Sequence, residues 1–195
     1  DGSAPSSSCA ARAISSSQRG EAPGGLTGDS YVNHGEAEAA LTAAVTLVIG
    51  GADVNEIVIL SMYDAQTRHI KQLARERCST YPFEINNVDA LQGHERPFVI
   101  LSLVRSNSKH AVGFLSDPRR ACVALTRAQK GLVIIADVYT VSYSSPWREL
   151  VQSYYARRLL VAGDLDALRA DVVPPPSEDP SLVNFSDFDA AYQSP

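Results

Sequence analysis

Short, uninterrupted apolar runs separated by amphipathic stretches set the narrowest limit on how this chain folds. Ile57 to Leu60, Phe98 to Val104 and Leu132 to Ala136 show almost no apolar–polar alternation, the pattern of strands buried on both faces. Phe83 to Val88 reads as a weaker strand, because Asn86 and Asn87 are poor strand formers. Around these runs lie helical patterns. Ala37, Ala40, Leu41, Ala44, Val45 and Val48 recur at i, i+3, i+4 spacing; Asn33 with Glu36 forms a capping pair ahead of them, and Gly50-Gly51 ends the run. Ile70, Leu73, Ala74 and Cys78 mark a second helix. Asp117-Pro118 and Ser145-Pro146 each set an N-cap residue before a proline at the first helical position, where its missing N–H costs nothing. The last helix carries Trp147, Leu150, Val151, Tyr154 and Tyr155 on one face, read as core packing rather than a base-stacking platform. Apolar strands separated by helices predict an α/β fold, a doubly wound and mostly parallel sheet with helices on both faces.

The ends differ in composition. Seven serines fall in the first twenty residues, and 1–29 is expected to be a disordered Ser/Gly/Pro-rich segment. Residues 163–195, with Pro174-Pro175-Pro176 and several acids, read as an acidic, Pro-rich tail. That leaves 30–162 as the folded domain. The chain opens on Asp1 without a basic-then-apolar leader, and is expected to be a segment of a larger protein. No run approaches the length of a membrane span. Cys9, Cys78 and Cys122 form no CxxC and pair with no histidine, which argues against a zinc site or disulfide framework and for an intracellular, reducing compartment, nucleus or cytoplasm.

The net charge of −5 hides an asymmetry: residues 56–162 hold 14 Lys+Arg against 9 Asp+Glu, and the flanks hold 3 against 13. The basic middle suits an anionic ligand. Ligands of open parallel sheets bind at the carboxyl ends of strands. The segments that follow the predicted strands are Ser61 to Gln66, Asp89 to Glu95, Arg105 to Asn107, and later Arg119-Arg120 and Leu125 to Ala128, expected near one edge. There is no GxxxxGK[ST] and no acidic pair after a strand to hold Mg²⁺. These residues can contact a nucleotide but cannot cradle its phosphates and metal, so they compose half a site.

Three segments carry a family resemblance. Ile57 to Gln66, Val88 to Asn107 and Gly113 to Asp137 resemble motifs IV, V and VI of superfamily 1 helicases, within the Upf/Sen-one/Dna-two-like branch. The family pattern, a strand then T-P-Y-x-x-Q, is met by Tyr63 and Gln66. V-D-x-F-Q-G-x-E followed by S-x-V-R is met by Val88, Asp89, Gln92, Gly93, Glu95, Ser102, Val104 and Arg105. G-F-L-x-D-x-R-R-x-N-V-A-L-T-R-A is met by Gly113, Phe114, Leu115, Asp117, Arg119, Arg120 and Val123 to Ala128. Ser30 to Asn33 with Glu36-Ala37 matches the stretch that precedes motif IV in such proteins.

The resemblance implies a RecA-like fold and the C-terminal motor domain of an ATP-dependent RNA or DNA helicase. ATP would bind between this domain and an upstream RecA-like domain that supplies the Mg²⁺ ligands, and the fragment alone would be inactive. Arg127 would be the catalytic arginine finger; Gln92, Gly93, Glu95 and Arg127 would contact the nucleotide; Ser61, Tyr63, Asn87 and Arg105 would contact single-stranded RNA or DNA. No metal ligand falls to this chain. The alternative is a degenerate helicase half that serves as a non-catalytic nucleic-acid- or protein-binding module.

Overall fold

The computed structural model describes residues 10–15, 20–24, 30–91 and 93–162. Gln92 and the stretch 163–195 lie outside the described residues. The fold is RecA-like α/β: a six-stranded sheet, parallel throughout, with helices packed on both faces.

In chain order the elements are β1 (Ala10–Ser15), β2 (Ala22–Pro23), β3 (Tyr31–Val32), α1 (His34–Ile49), β4 (Ile57–Ser61), α2 (Asp64–Arg77), β5 (Glu84–Asn87), β6 (Arg96–Ser102), α3 (Pro118–Leu125), β7 (Ala128–Ala136), α4 (Val138–Val141), α5 (Ser145–Ala156) and β8 (Leu160–Ala162). The sheet order is β5-β4-β6-β7-β1-β8, and β2 and β3 form a separate antiparallel pair. Single-turn 3-10 segments at Val88–Leu91 and Gly113–Ser116 shape the connections on either side of β6.

The strands earn their unbroken apolar sequences by facing two cores. Ile57, Ile59, Ile85, Ile100 and Ile135 pack with Ala37, Ala40, Leu41 and Ala44 of α1 and Ile70, Leu73 and Ala74 of α2. The alternate positions Val58, Leu60, Val99, Leu101, Leu132 and Ile134 pack with Ala121 and Ala124 of α3 and with Trp147, Val151, Tyr154 and Tyr155 of α5. Trp147 is buried with its indole N–H donating to the Leu115 carbonyl at 2.7 Å, which removes the cost of burying that donor.

Two features differ from the sequence reading. The segment expected to be disordered contains β1, which pairs with β7 from Ala10↔Gly131 to Ser15↔Ala136 and with β8 on its other side. A strand with neighbours on both edges has its main-chain groups satisfied by the ladder, so it needs no strong β-forming sequence. Residues 20–24 also join the fold, through β2 and the bond from the Glu21 amide to the Ser106 carbonyl. The second difference is small: α5 begins at Ser145, with Ser144 as its N-cap residue rather than Ser145. Asp117 caps α3 as expected, accepting from the Arg119 amide.

Candidate nucleotide and nucleic-acid sites

The predicted residues fall at two opposite edges of the sheet rather than one. β4, β5 and β6 end at Ser61, Asn87 and Ser102, which stand in register across the carboxyl edge. Gly93, His94 and Glu95 precede β6, and Arg127 precedes β7, so they lie at the amino edge. The correction has a simple cause. The eight-residue connection between Asn87 and Arg96 starts at the carboxyl end of one parallel strand and must return to the amino end of the next, so one motif spans both edges.

At the amino edge, Arg127 is half-buried. Its Nε donates to the Val123 carbonyl at 2.9 Å, Nη1 to the His94 carbonyl at 3.3 Å and Nη2 to Thr126 Oγ1 at 3.1 Å. The backbone also joins here, the Arg96 amide donating to the Arg127 carbonyl at 2.9 Å. These contacts aim the guanidinium without neutralising it: among the described residues Arg127 has no carboxylate partner, and two of its five N–H groups find no acceptor. Gly93 beside it is exposed with φ +85, a conformation that favours glycine, and a Cβ there would meet nothing. Glu95 is exposed and accepts from Gln129 Nε2 at 3.2 Å. A directed guanidinium with no carboxylate partner among the described residues fits a polyanion such as a nucleotide phosphate. Among the described residues no group of three or more His, Cys, Asp or Glu side chains is placed to hold a metal ion.

The carboxyl edge is built differently. Asn87, half-buried, donates from Nδ2 to Asp64 Oδ1 at 2.7 Å and accepts from the Asp89 amide. Ser61 is buried, its hydroxyl donating to the Ser102 carbonyl at 3.1 Å. Tyr63 is buried between Tyr31 and Phe114, ring centroids 5.8 and 5.7 Å away. Arg105 is buried too; its Nε donates to Glu21 Oε2 at 2.7 Å, and its guanidinium lies 4.2 Å from the Tyr31 ring centroid. Burial pushes the Tyr63 phenol up, with Arg105 opposing. Burial also works against the Arg105 charge, but Tyr63 and Glu21 outweigh it and hold that group above its ordinary value. Of the four residues expected at a strand contact, Ser61, Tyr63 and Arg105 are buried at this edge and Asn87 alone is half-buried.

Sequence reasoning missed Glu21 and understated Glu36. Glu36 is fully buried, accepting from the Ser102 hydroxyl and the Val104 amide at 2.7 Å each. Asn33 caps α1 as expected, through Oδ1 to the Glu36 amide, but the Glu36 side chain turns inward to β6. Gln66 is buried in the same network, bonded to Asn33 and Ser102.

A profile of the family described as AAA domain matches residues 5–139. The regulator of nonsense transcripts 1 homolog of Drosophila melanogaster is 32% identical over 173 residues, covering 86% of this chain and 15% of that protein. Its Arabidopsis thaliana counterpart is 35% identical over 161 residues, 80% of this chain and 13% of that protein. The ATP-dependent helicase NAM7 of Saccharomyces cerevisiae is 33% identical over 186 residues, 84% of this chain and 19% of that protein. The chain thus spans less than a fifth of the length of these curated relatives.

Proposed function

The chain belongs to the AAA-domain family, as a superfamily 1 helicase domain of the Upf-like kind, and from that premise we propose that it is the C-terminal motor domain of an ATP-dependent helicase. The observation that carries the reading is Arg127: a guanidinium bonded to the loop of the neighbouring motif, with donors left over and no carboxylate partner among the described residues. ATP, with Mg²⁺ ligands supplied by an upstream RecA-like domain, provides the phosphoryl group whose transfer to water drives the motor. Arg127 acts on the charge that develops as that group departs, and such fingers contribute roughly 10³–10⁵ in rate elsewhere. Gly93 gives close backbone approach, Glu95 accepts a hydrogen bond from the nucleotide, and Gln92, next to Gly93 in the sequence, contacts it with them. Asn87 contacts single-stranded nucleic acid at the opposite edge. RNA is the favoured strand, since two of the relatives are named as regulators of nonsense transcripts. Such a role places the protein inside the cell, and no helix among the described residues is long and apolar enough to cross a membrane.

The test is the full-length protein carrying Arg127→Ala. ATPase kcat falls by on the order of 10²–10⁴ while nucleotide affinity changes much less, and Arg127→Lys restores little, because a point charge does not replace a planar fork. An unchanged kcat would overturn the reading and favour a non-catalytic half.

A further inference from the structure

Leu103, Val104 and Arg105 leave β6 through a tight reversal. The Arg105 amide donates to the Leu103 carbonyl at 2.8 Å, and Val104 between them has φ +73. Together these define a γ-turn of the rare, positive-φ kind. For a β-branched residue that conformation is a genuine outlier, persisting only where the surroundings over-determine it.

The surroundings here are the first turn of α1 and its cap. Glu36 Oε2 accepts the Val104 amide at 2.7 Å, and Asn33 Nδ2 donates to the Val104 carbonyl at 3.1 Å. Both main-chain polar groups of the strained residue are therefore tied to side chains about seventy positions earlier. Gln66 sets the polarity of the network. Its Nε2 donates to Ser102 Oγ at 3.1 Å, so the Ser102 proton is directed to Glu36 Oε2 at 2.7 Å. Asn33 Nδ2 approaches Glu36 Oε1 at 3.4 Å. Donors surround the carboxyl, yet no described cation pairs with it, and burial pushes it up to about 8. A helix cap needs no such arrangement; an exposed acid at that position serves as well at far lower cost.

Just past the turn, Arg105 is gripped by Glu21, Tyr31 and Tyr63, and Gly113 at the far end of the loop returns against it: a Cβ there would lie 2.7 Å from Arg105 Nη1. The direction in which the chain leaves Val104 therefore sets where the loop 105–113 lies along the carboxyl edge.

We infer that Glu36 is a positioning residue that clamps the Val104 γ-turn and so fixes the carboxyl-edge loop in the form that receives nucleic acid. This rests on the reading of that edge as the strand-contacting one.

The experiment is Glu36→Gln in the full-length protein, followed by hydrogen exchange and by ATPase titrated with single-stranded RNA. Exchange of the Val104 and Arg105 amides is expected to quicken at least tenfold, while the Leu103 amide, bonded to the Ile135 carbonyl at 3.1 Å, stays protected. The half-saturating RNA concentration is expected to rise about tenfold, with kcat at saturating RNA within twofold of the parent. Should Glu36→Gln not fold, Asn33→Ser keeps the cap, removes the donor to the Val104 carbonyl, and carries the same expectations. Unchanged exchange at Val104 and Arg105 overturns the clamp whatever the RNA titration shows. Quickened exchange with an unchanged RNA titration overturns the positioning role. In that case Asn87→Ala decides what else falls: if it too leaves the titration unchanged, the reading of the edge has failed, and if it shifts the titration only the role of Glu36 has.

Discussion

Asp89 and Arg120 meet at 3.0 Å, joining the connection after β5 to the first turn of α3. At its far end the same connection is bonded again, where Arg127 reaches the His94 carbonyl. Helix and connection thus run side by side from the carboxyl edge to the amino edge, fastened near both ends. Both partners of the first pair are substantially solvent-exposed, so a double-mutant cycle on Asp89 and Arg120 is expected to yield a coupling of less than about 1 kcal/mol by denaturant unfolding.

The Glu21–Arg105 pair lies at the other extreme, with side chains only 8% and 7% exposed. Glu21→Ala strands a buried guanidinium and is expected to cost about 3–5 kcal/mol. Replacing both residues with apolar ones is expected to cost less than Glu21→Ala alone. Arg105→Lys recovers little, because both the Nε bond and the stack on Tyr31 use the planar fork. Urea unfolding midpoints of the four proteins check this.

Two glycines with positive φ make a controlled comparison. At Gly113, φ +55, an added Cβ would sit 2.7 Å from Arg105 Nη1 and 3.1 Å from the Tyr63 hydroxyl; at Gly93, φ +85, it meets nothing. Gly93→Ala is therefore expected to lose only the conformational term, about 1–2 kcal/mol. Gly113→Ala adds a clash inside the Arg105 grip and is expected to lose more, with both values read from thermal unfolding.

Glu36 gives the fold a pH dependence of known sign. Its carboxyl is raised from 4.5 to about 8 by burial, with the Val104 and Ser102 bonds opposing and Asp137 as the charged group facing it. The folded state then holds a proton that the unfolded state has lost between those values. Stability from this group is complete below pH 4.5, declines as pH rises through the window by up to about 1.4 kcal/mol per unit, and levels off above 8. Unfolding free energies of the parent and Glu36→Gln are expected to differ in slope across that window.

The parts that were legible in the sequence are those where local chemistry and tertiary context agree. Ile57–Leu60 declared a doubly buried strand because both its faces meet apolar helices, and Asp117-Pro118 declared a helix start because cap and proline act within a turn. The rest depended on distance in the chain. Ala10–Ser15 offers a single strong strand former, Ile14, in a serine-rich stretch, and becomes a strand only through neighbours more than a hundred residues away. Glu36 at the third position after Asn33 matched a capping pair so well that its inward turn to Ser102 and Val104 left no trace in the spacing. Ser61, Tyr63 and Arg105 carried the motif residues faithfully but not their burial, since Glu21, the partner that covers Arg105, stood in the segment read as unstructured. The two-edge layout of Arg127 and Asn87 was implicit in the strands' parallel direction, yet a loop read simply as following a strand conceals that it also precedes the next.

The position of β1 between β7 and β8 has a consequence for how the molecule assembles. β1 is an interior strand of the sheet, yet Ala10 pairs with Gly131 and Ala13 with Leu160. Until nearly the whole domain has been synthesised, β1 has no partner, and the inner flank of β7 stands open once it forms. Closing chain segments of that length is slow, and an open flank is a template for another molecule. Newly made chains should therefore pass through a period when crowding and chaperone access decide their fate. Variants trimmed to begin after β1 would keep β8 but remove the strand that joins it to the sheet, and would remain in that vulnerable state.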